Sequence, residues 1–403
     1  MGLNVLTYTV RLLFWVLIGY LIYLSFAFTI REPVWGVIDE TAHMDYIEKL
    51  SNGHFTMNTD SPIENEIFQS LEYARWAKPP GYDGTMHSAG LVSLSYELHQ
   101  PPLYYFIMAI PNWVMKQFEV SLLQRVMIIR LLSWLLFLMA LFIGYFCLLN
   151  LLNRFKLSVS VFFAQLYVLF LLLVGSSGRF GISNDWLALI LVHSIIWLLT
   201  MLYFENRKSV IPWMHALIAA LIITKQTYLP LALIFFLAGT VIDSSFYKFI
   251  RHYLFYLPVL LWYVAFIYQW QHPTVTHTLF NLMLPAGMFD FKTFLLLIIH
   301  NALDWKRLIP FSLMSGLWVL LLYGFSVIAV LYFRKSVWLI GFSMLVLLFL
   351  AMLMFALNKW IGGVHWYAYR HFNGYGFFIF VGAFGWLIYV FDWIKLYIQR
   401  IIS

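Results

Sequence analysis

The 403-residue chain is 63 % hydrophobic and only 11 % charged, with a formal net charge of +7. Soluble domains run at about 45–50 % apolar and about 25 % charged, so no water-facing surface can be built from this balance. A soluble enzyme, a nucleic-acid binder and a disulfide scaffold are excluded, and the excess of Lys and Arg is read as orienting the chain in a membrane.

A membrane-crossing helix needs about 20 apolar residues to span about 30 Å of hydrocarbon. Such runs fall, in chain order, at 10–30, 127–151, 158–176, 185–204, 210–224, 227–243, 253–270, 312–333, 337–357 and 373–394. The expected fold is therefore an all-α polytopic membrane protein of about ten transmembrane helices, one transmembrane domain over 1–403. The first run has neither a strong basic stretch before it nor an A-x-A-like cleavage site, and is expected to remain as a signal anchor. Cys147 lies inside the second run and, as the single cysteine, has no partner for an intramolecular disulfide. The fifth and sixth runs are short and share a break around Lys225.

Loop charge then sets the sidedness. Arg11, Arg154 with Lys156, Arg207 with Lys208, Lys248 with Arg251, Arg334 with Lys335, and Lys395 with Arg400 all fall in short connections on one side, which puts both termini in the cytoplasm. The expected location is the plasma membrane, with a first extracytoplasmic loop at 31–126 and a second at 271–311. Within the first loop, 101–118 is apolar enough to be an eleventh span, but that would place Arg154 and Lys156 outside and invert every later loop. An interfacial helix, rich in Tyr and Trp and broken at Pro111, keeps the charge rule intact. Most of the remaining charge lies on the outward side, so the chemistry is expected there.

The densest polar cluster follows the first span, from Val37 to Tyr46. Asp39 is placed to cap a new helix, although Ala42 stands where a capping box would need Glu or Gln. On that helix Asp39, Ala42, His43 and Tyr46 share a face by their i, i+3, i+4 spacing. An acid and an imidazole one turn apart can deprotonate a hydroxyl or hold a divalent ion; a capped, solvated interfacial helix is the plain alternative. A second cluster runs from Tyr96 through Glu97, His99, Gln100, Pro101 and Pro102 to Tyr104 and Tyr105. The two prolines start a helix rigidly and the tyrosines suit the headgroup zone, so a structural role alone is the default reading of this cluster.

Farther along, isolated charges mark the outer ends of spans. Arg179 precedes Asn184 and Asp185, Lys225 interrupts an apolar hairpin, and Arg370 with His371 stands among aromatics before the last run. Ionisable groups at membrane depth are expensive and usually face a cavity, and cations gathered there suit a lipid phosphate. Snorkelling to the interface is the alternative for each, and the better one for Lys306 and Arg307.

Four short segments together resemble the GT-C superfamily of integral-membrane glycosyltransferases, in the branch of the protein O-mannosyltransferases and lipid A aminoarabinose transferases. They are DExxH at 39–43, HQPPLYY at 99–105, SND at 183–185 and TKQ at 224–226, in matching order over about the first 230 residues. The resemblance implies a polyprenyl-phosphate-linked sugar as donor, transfer on the extracytoplasmic face, and the first-loop acid, here Asp39, serving the acceptor or a bound metal. Aminoarabinose transferases have Lys before the PP pair where this chain has Gln100, and Lys78-Pro79-Pro80 lacks the Leu-x-Tyr that follows. The donor phosphate must then be met by Lys225 and Arg370, with Arg179 and His371 nearby, or the donor differs.

Polyprenyl phosphate leaves readily only if its charge is stabilised as the C1–O bond breaks, which fixed cations in a water-poor pocket do well. One carboxylate suffices as base for single displacement with inversion. Asp39 is that base in this reading, Glu40 its orienting partner or a metal ligand, and His43, Glu97, His99, Gln100, Tyr104, Tyr105 and Asp185 line the substrate pocket. No cofactor is assigned, a divalent metal staying open. The acceptor is a lipid or cell-envelope glycan, or a protein. A lipid flippase or solute transporter is the main rival, though it would call for midplane charge in paired halves, and no internal repeat is seen. An assembly or anchoring subunit is the other.

Overall fold

A computed structural model of the protein describes residues 2–36, 39–55, 61–73, 81–86, 93–155, 160–176, 181–248 and 250–271, with helical residues 377, 378, 380, 381, 393, 394 and 397. In chain order the helices are α1 (Gly2–Arg31), α2 (Glu40–Ser51), α3 (Asn65–Ser70), α4 (Leu103–Gln117), α5 (Leu122–Arg154), α6 (Ser160–Ser176), α7 (Asp185–Glu205), α8 (Ile211–Ile222), α9 (Leu229–Ile242), α10 (Ser245–Lys248) and α11 (Leu257–Gln271). Short 3-10 turns lie at Tyr96–His99, Lys208–Val210, Gln226–Tyr228 and Ile250–Tyr256, and among the described residues the only bridge is the isolated antiparallel pair Pro62–Leu94.

The first seven apolar runs of the sequence coincide with α1, α5, α6, α7, α8, α9 and α11. Apolar solvent offers the backbone no partners, so such runs must satisfy their N–H and C=O groups internally, as helices do. Among the described residues three stretches are long and apolar enough to cross a membrane: Tyr8–Arg31, Leu122–Arg154 and Asp185–Glu205. Helices α8 and α9 have 12 and 14 residues. At 1.5 Å per residue that is about 18 and 21 Å, short of the hydrocarbon thickness. They meet at the turn that carries Lys225, as expected. The runs at 312–333 and 337–357, nearly all of 373–394 and the second loop beyond residue 271 lie outside the described residues.

The chain divides into two compact units, one of 1–22, 141–178 and 282–403, the other of 23–140 and 179–281. In the first, Phe14 meets Phe162 edge-on at 5.2 Å, and Tyr167 packs against Phe377 and Phe380 at 5.6 and 5.2 Å. Cys147 is buried there as a free thiol.

The second unit holds the polar residues of interest. The segment after α1 builds an apolar core of its own, in which Met44, Tyr46 and Ile47 of α2 meet Ile67 of α3, Tyr104 and Tyr105 of α4, and Val126 and Ile129 of α5. Two expectations are corrected here. Helix α2 is not a solvated interfacial helix: every residue from Glu40 to Lys49 is buried. Its charges can be buried because α4 and α5 bring counter-charges to them. Nor does Pro111 break α4, which continues through it. The helix buries Tyr104, Tyr105, Met108, Ala109 and Asn112, while Ile110 (66 %) and Phe118 (77 %) are exposed. The carbonyl that loses its donor to Pro111 is that of Ile107, itself exposed, so the missing bond falls on the outer side of the helix.

Candidate functional site

Helix α2 begins at a strained entry. Trp35 and Asp39 both take left-handed backbone conformations, with φ of 62° and 66°. A bulky residue such as Trp is a genuine outlier there, whereas Asp tolerates the region better. Asp39 makes no side-chain capping bond, which corrects the expectation that its carboxylate caps the helix. The residue is half-buried at the very start of α2.

Arg130, from the first part of α5, holds this entry together. Its Nε donates to Glu40 Oε1 at 2.5 Å and its Nη2 to Glu40 Oε2 at 2.5 Å. Nη1 donates to the Glu32 carbonyl at 2.7 Å and Nη2 to that of Pro33 at 2.8 Å. Glu40 Oε2 also accepts the Trp35 N–H at 3.1 Å, and the Trp35 indole donates to Ser70 Oγ at 2.8 Å. Both oxygens of Glu40 are thus engaged and the side chain is fully buried, which suits an orienting partner and not a metal ligand. Among the described residues no group of three or more His, Cys, Asp or Glu side chains is arranged to hold a metal ion.

One turn along α2, His43 Nδ1 lies 2.8 Å from the Tyr105 hydroxyl and 3.9 Å from Glu97 Oε2. Tyr105 donates to Glu97 Oε2 at 3.5 Å and stacks on Tyr46 at 4.1 Å, and Tyr46 donates to the Gln100 carbonyl at 3.3 Å. The DExxH and HQPPLYY segments are therefore in direct contact. Burial pushes the Tyr46, Tyr104 and Tyr105 hydroxyls well above the usual tyrosine range, and the carboxylate of Glu97 adds to it for Tyr46 and Tyr105. All three stay neutral and serve as hydrogen-bonding groups, not as bases.

The other two segments meet on the adjoining side of Tyr104. Lys225 Nζ donates to Asp185 Oδ1 at 2.7 Å, with both side chains buried, and Tyr228 donates to the same oxygen at 3.5 Å. Asn184 Nδ2 donates to the Thr224 carbonyl at 3.3 Å. Tyr104 shares a 2.7 Å bond with Ser133 Oγ and also bonds the Ser183 backbone. The start of α4 joins in, since Leu103 N–H donates to the Ile223 carbonyl at 2.9 Å. Lys225 was expected as an unexplained charge at depth; its charge is met by Asp185.

Arg179, Arg370 and His371 lie outside the described residues, as do Lys306 and Arg307. His99 ends the 3-10 turn Tyr96–His99. The pairing of Lys225 with Arg370 on one headgroup thus has only its first member in view.

Several residues that shape the site were not singled out from the sequence. Arg125 is buried between Glu48 and Glu66, bonding the latter at 2.7 Å. Lys116 reaches Glu48 at 2.9 Å and Asn52 Oδ1 at 2.6 Å. Asp45 accepts from Lys49 at 2.6 Å, from Ser95 Oγ at 2.5 Å and from Glu64 N–H at 2.6 Å. Burial raises the Asp45 carboxyl above the usual carboxylate range, against the pull of Lys49, Ser95 and Glu64. A signal for Arg130 was present: an arginine inside an apolar run needs a buried acid to meet it. Nothing local says which acid that is. No family model, no curated protein and no solved structure matches this chain.

Proposed function

We propose that the protein is an integral-membrane glycosyltransferase of the GT-C type, which moves a sugar from a polyprenyl-phosphate carrier to a hydroxyl acceptor on the extracytoplasmic face. The observation that carries this reading is the meeting of the four segments that gave the resemblance. Within them His43 bonds Tyr105, Tyr104 bonds the Ser183 backbone, Asn184 bonds the Thr224 carbonyl and Asp185 pairs with Lys225, while Leu103 bonds Ile223, the residue just before the last segment.

In this mechanism Asp39 takes the proton from the acceptor hydroxyl as it attacks C1 of the sugar, and the C1–O bond to the phosphate breaks with inversion. Lys225 donates one of its three N–H groups to Asp185, leaving two that can meet phosphate oxygens. His43, Glu97, His99, Gln100, Tyr104, Tyr105 and Asp185 surround the substrates in this proposal; the further phosphate candidates Arg179, Arg370 and His371 lie outside the described residues. The chain crosses the membrane about ten times, with both termini cytoplasmic. A lipid or cell-envelope glycan is the proposed acceptor.

The test is transfer by the purified protein in lipid nanodiscs, offered a panel of polyprenyl-phosphate sugars and a glycolipid acceptor. Product with inverted anomeric configuration is expected, formed about 10²–10⁴-fold more slowly by Asp39→Asn. A protein that carries lipid or solute across vesicle walls and transfers no sugar would replace this reading with a transporter.

A further inference from the structure

We propose that Arg130 is a positioning residue for the reaction: through Glu40 it holds Asp39 in the backbone conformation from which Asp39 works. The inference rests on the reading of Asp39 as the base.

Asp39 is the residue before Glu40, and its φ of 66° aims its side chain by a conformation that non-glycine residues rarely hold. Such a conformation persists only where the surroundings over-determine it. Here one fully buried guanidinium reaches both sides of the segment. It grips the carbonyls of Glu32 and Pro33 before the strained stretch and both carboxylate oxygens of Glu40 after it. Glu40 in turn takes the N–H of Trp35, the other left-handed residue. The fork is what the task requires, since a lysine ammonium offers a point charge and cannot fix two carbonyls and a carboxylate in one plane. Stability alone does not explain the choice, because a buried ion pair can often be replaced by apolar side chains without loss. What apolar side chains cannot supply is a fixed direction for residue 39.

The experiment is a kinetic cycle on the full-length protein in nanodiscs. Arg130→Met/Glu40→Met removes the clamp without leaving a buried charge alone, and is measured in the parent and in the Asp39→Asn background. Misplacing a reacting group by about an ångström costs on the order of 10²-fold. The expected result is a fall in kcat of that size in the parent, with KM for the donor unchanged and thermal stability near the parent's. In the Asp39→Asn background the same pair of substitutions is expected to change kcat by less than about twofold, since a residue acting through Asp39 has nothing left to act through. An equal fall in both backgrounds, or a parent-like kcat in the first, overturns the inference. Arg130→Lys, which keeps the charge and loses the fork, is read in the same two backgrounds and decides the matter if the double variant does not fold. A parent that transfers no sugar at all overturns the assignment of Asp39 itself, and so is distinct from a failure of the clamp.

Discussion

Glu40 and Asp39 are neighbours in the chain with opposite physical situations, and their substitutions should separate accordingly. Glu40 is fully buried on Arg130, so Glu40→Gln leaves a buried guanidinium without its counter-charge. Breaking one side of such a pair typically costs about 3–5 kcal/mol, and a fall in thermal or denaturant stability of that order is expected. Asp39 makes no capping bond and stands half-exposed in the left-handed region, which Asn tolerates as well as Asp. Asp39→Asn should therefore leave stability within about 0.5 kcal/mol of the parent. Its kcat should fall about 10²–10⁴-fold, the usual cost of losing a general base. A well-folded Asp39→Asn protein with parent turnover would remove the mechanism. His43 is a different case again, because its partner Tyr105 is buried and stacked on it. His43→Ala leaves the buried Tyr105 hydroxyl only its 3.5 Å contact with Glu97 and opens a cavity, and should cost stability by about 1–3 kcal/mol whatever its effect on transfer.

At the scale of elements, the Asp185–Lys225 pair ties the first residue of α7 to the turn between α8 and α9. Lys225→Met alone leaves Asp185 buried and unmet by that cation, so it tests the fold before it tests the donor phosphate. A loss of about 3–5 kcal/mol is expected from the single change, and recovery of most of it in Lys225→Met/Asp185→Leu. If Lys225 also meets phosphate, the recovered double variant will still show a raised donor KM with little change in stability. Parent-like KM in that double variant would take Lys225 out of the phosphate site. Helix α4 makes a second point about elements. Its inner face, with Tyr104, Tyr105 and Asn112, is fixed on α2, while Ile110, Trp113 and Phe118 stand outward. Only four residues separate its end from α5, one of the helices long enough to cross a membrane.

For the whole molecule the decisive quantity is sidedness. The proposed topology has Lys208 inside and the segment around Gly84 outside. A membrane-impermeant thiol reagent applied to intact cells should therefore label Gly84→Cys and leave Lys208→Cys untouched until the membrane is opened. The native Cys147 is buried and should contribute no background. Labelling of Lys208→Cys from outside would invert the topology and move Asp39 to the cytoplasmic face.

What the sequence determined by itself was the helical layout. The apolar runs at 10–30, 127–151, 158–176, 185–204, 210–224, 227–243 and 253–270 each coincide with a helix, most of them to within a few residues although α1 begins at Gly2, and the break at Lys225 is a turn. These are local properties: run length, period and the need of each backbone group for a partner within its own segment. The shared face of His43 and Tyr46 was legible too, since both meet Tyr105. Only the tertiary structure decided how the charges pair. Arg130 finds Glu40 at a separation of 90 residues and Lys225 finds Asp185 at 40. Read along the chain, Arg130 and Lys225 each call for a counter-charge but do not say which, because the partner comes from another helix. The same holds for α2, whose polar sequence reads as a surface helix. It is buried because α4 and α5 supply Lys116, Arg125 and Arg130 to its acids, and that provision is a property of packing, not of any segment alone.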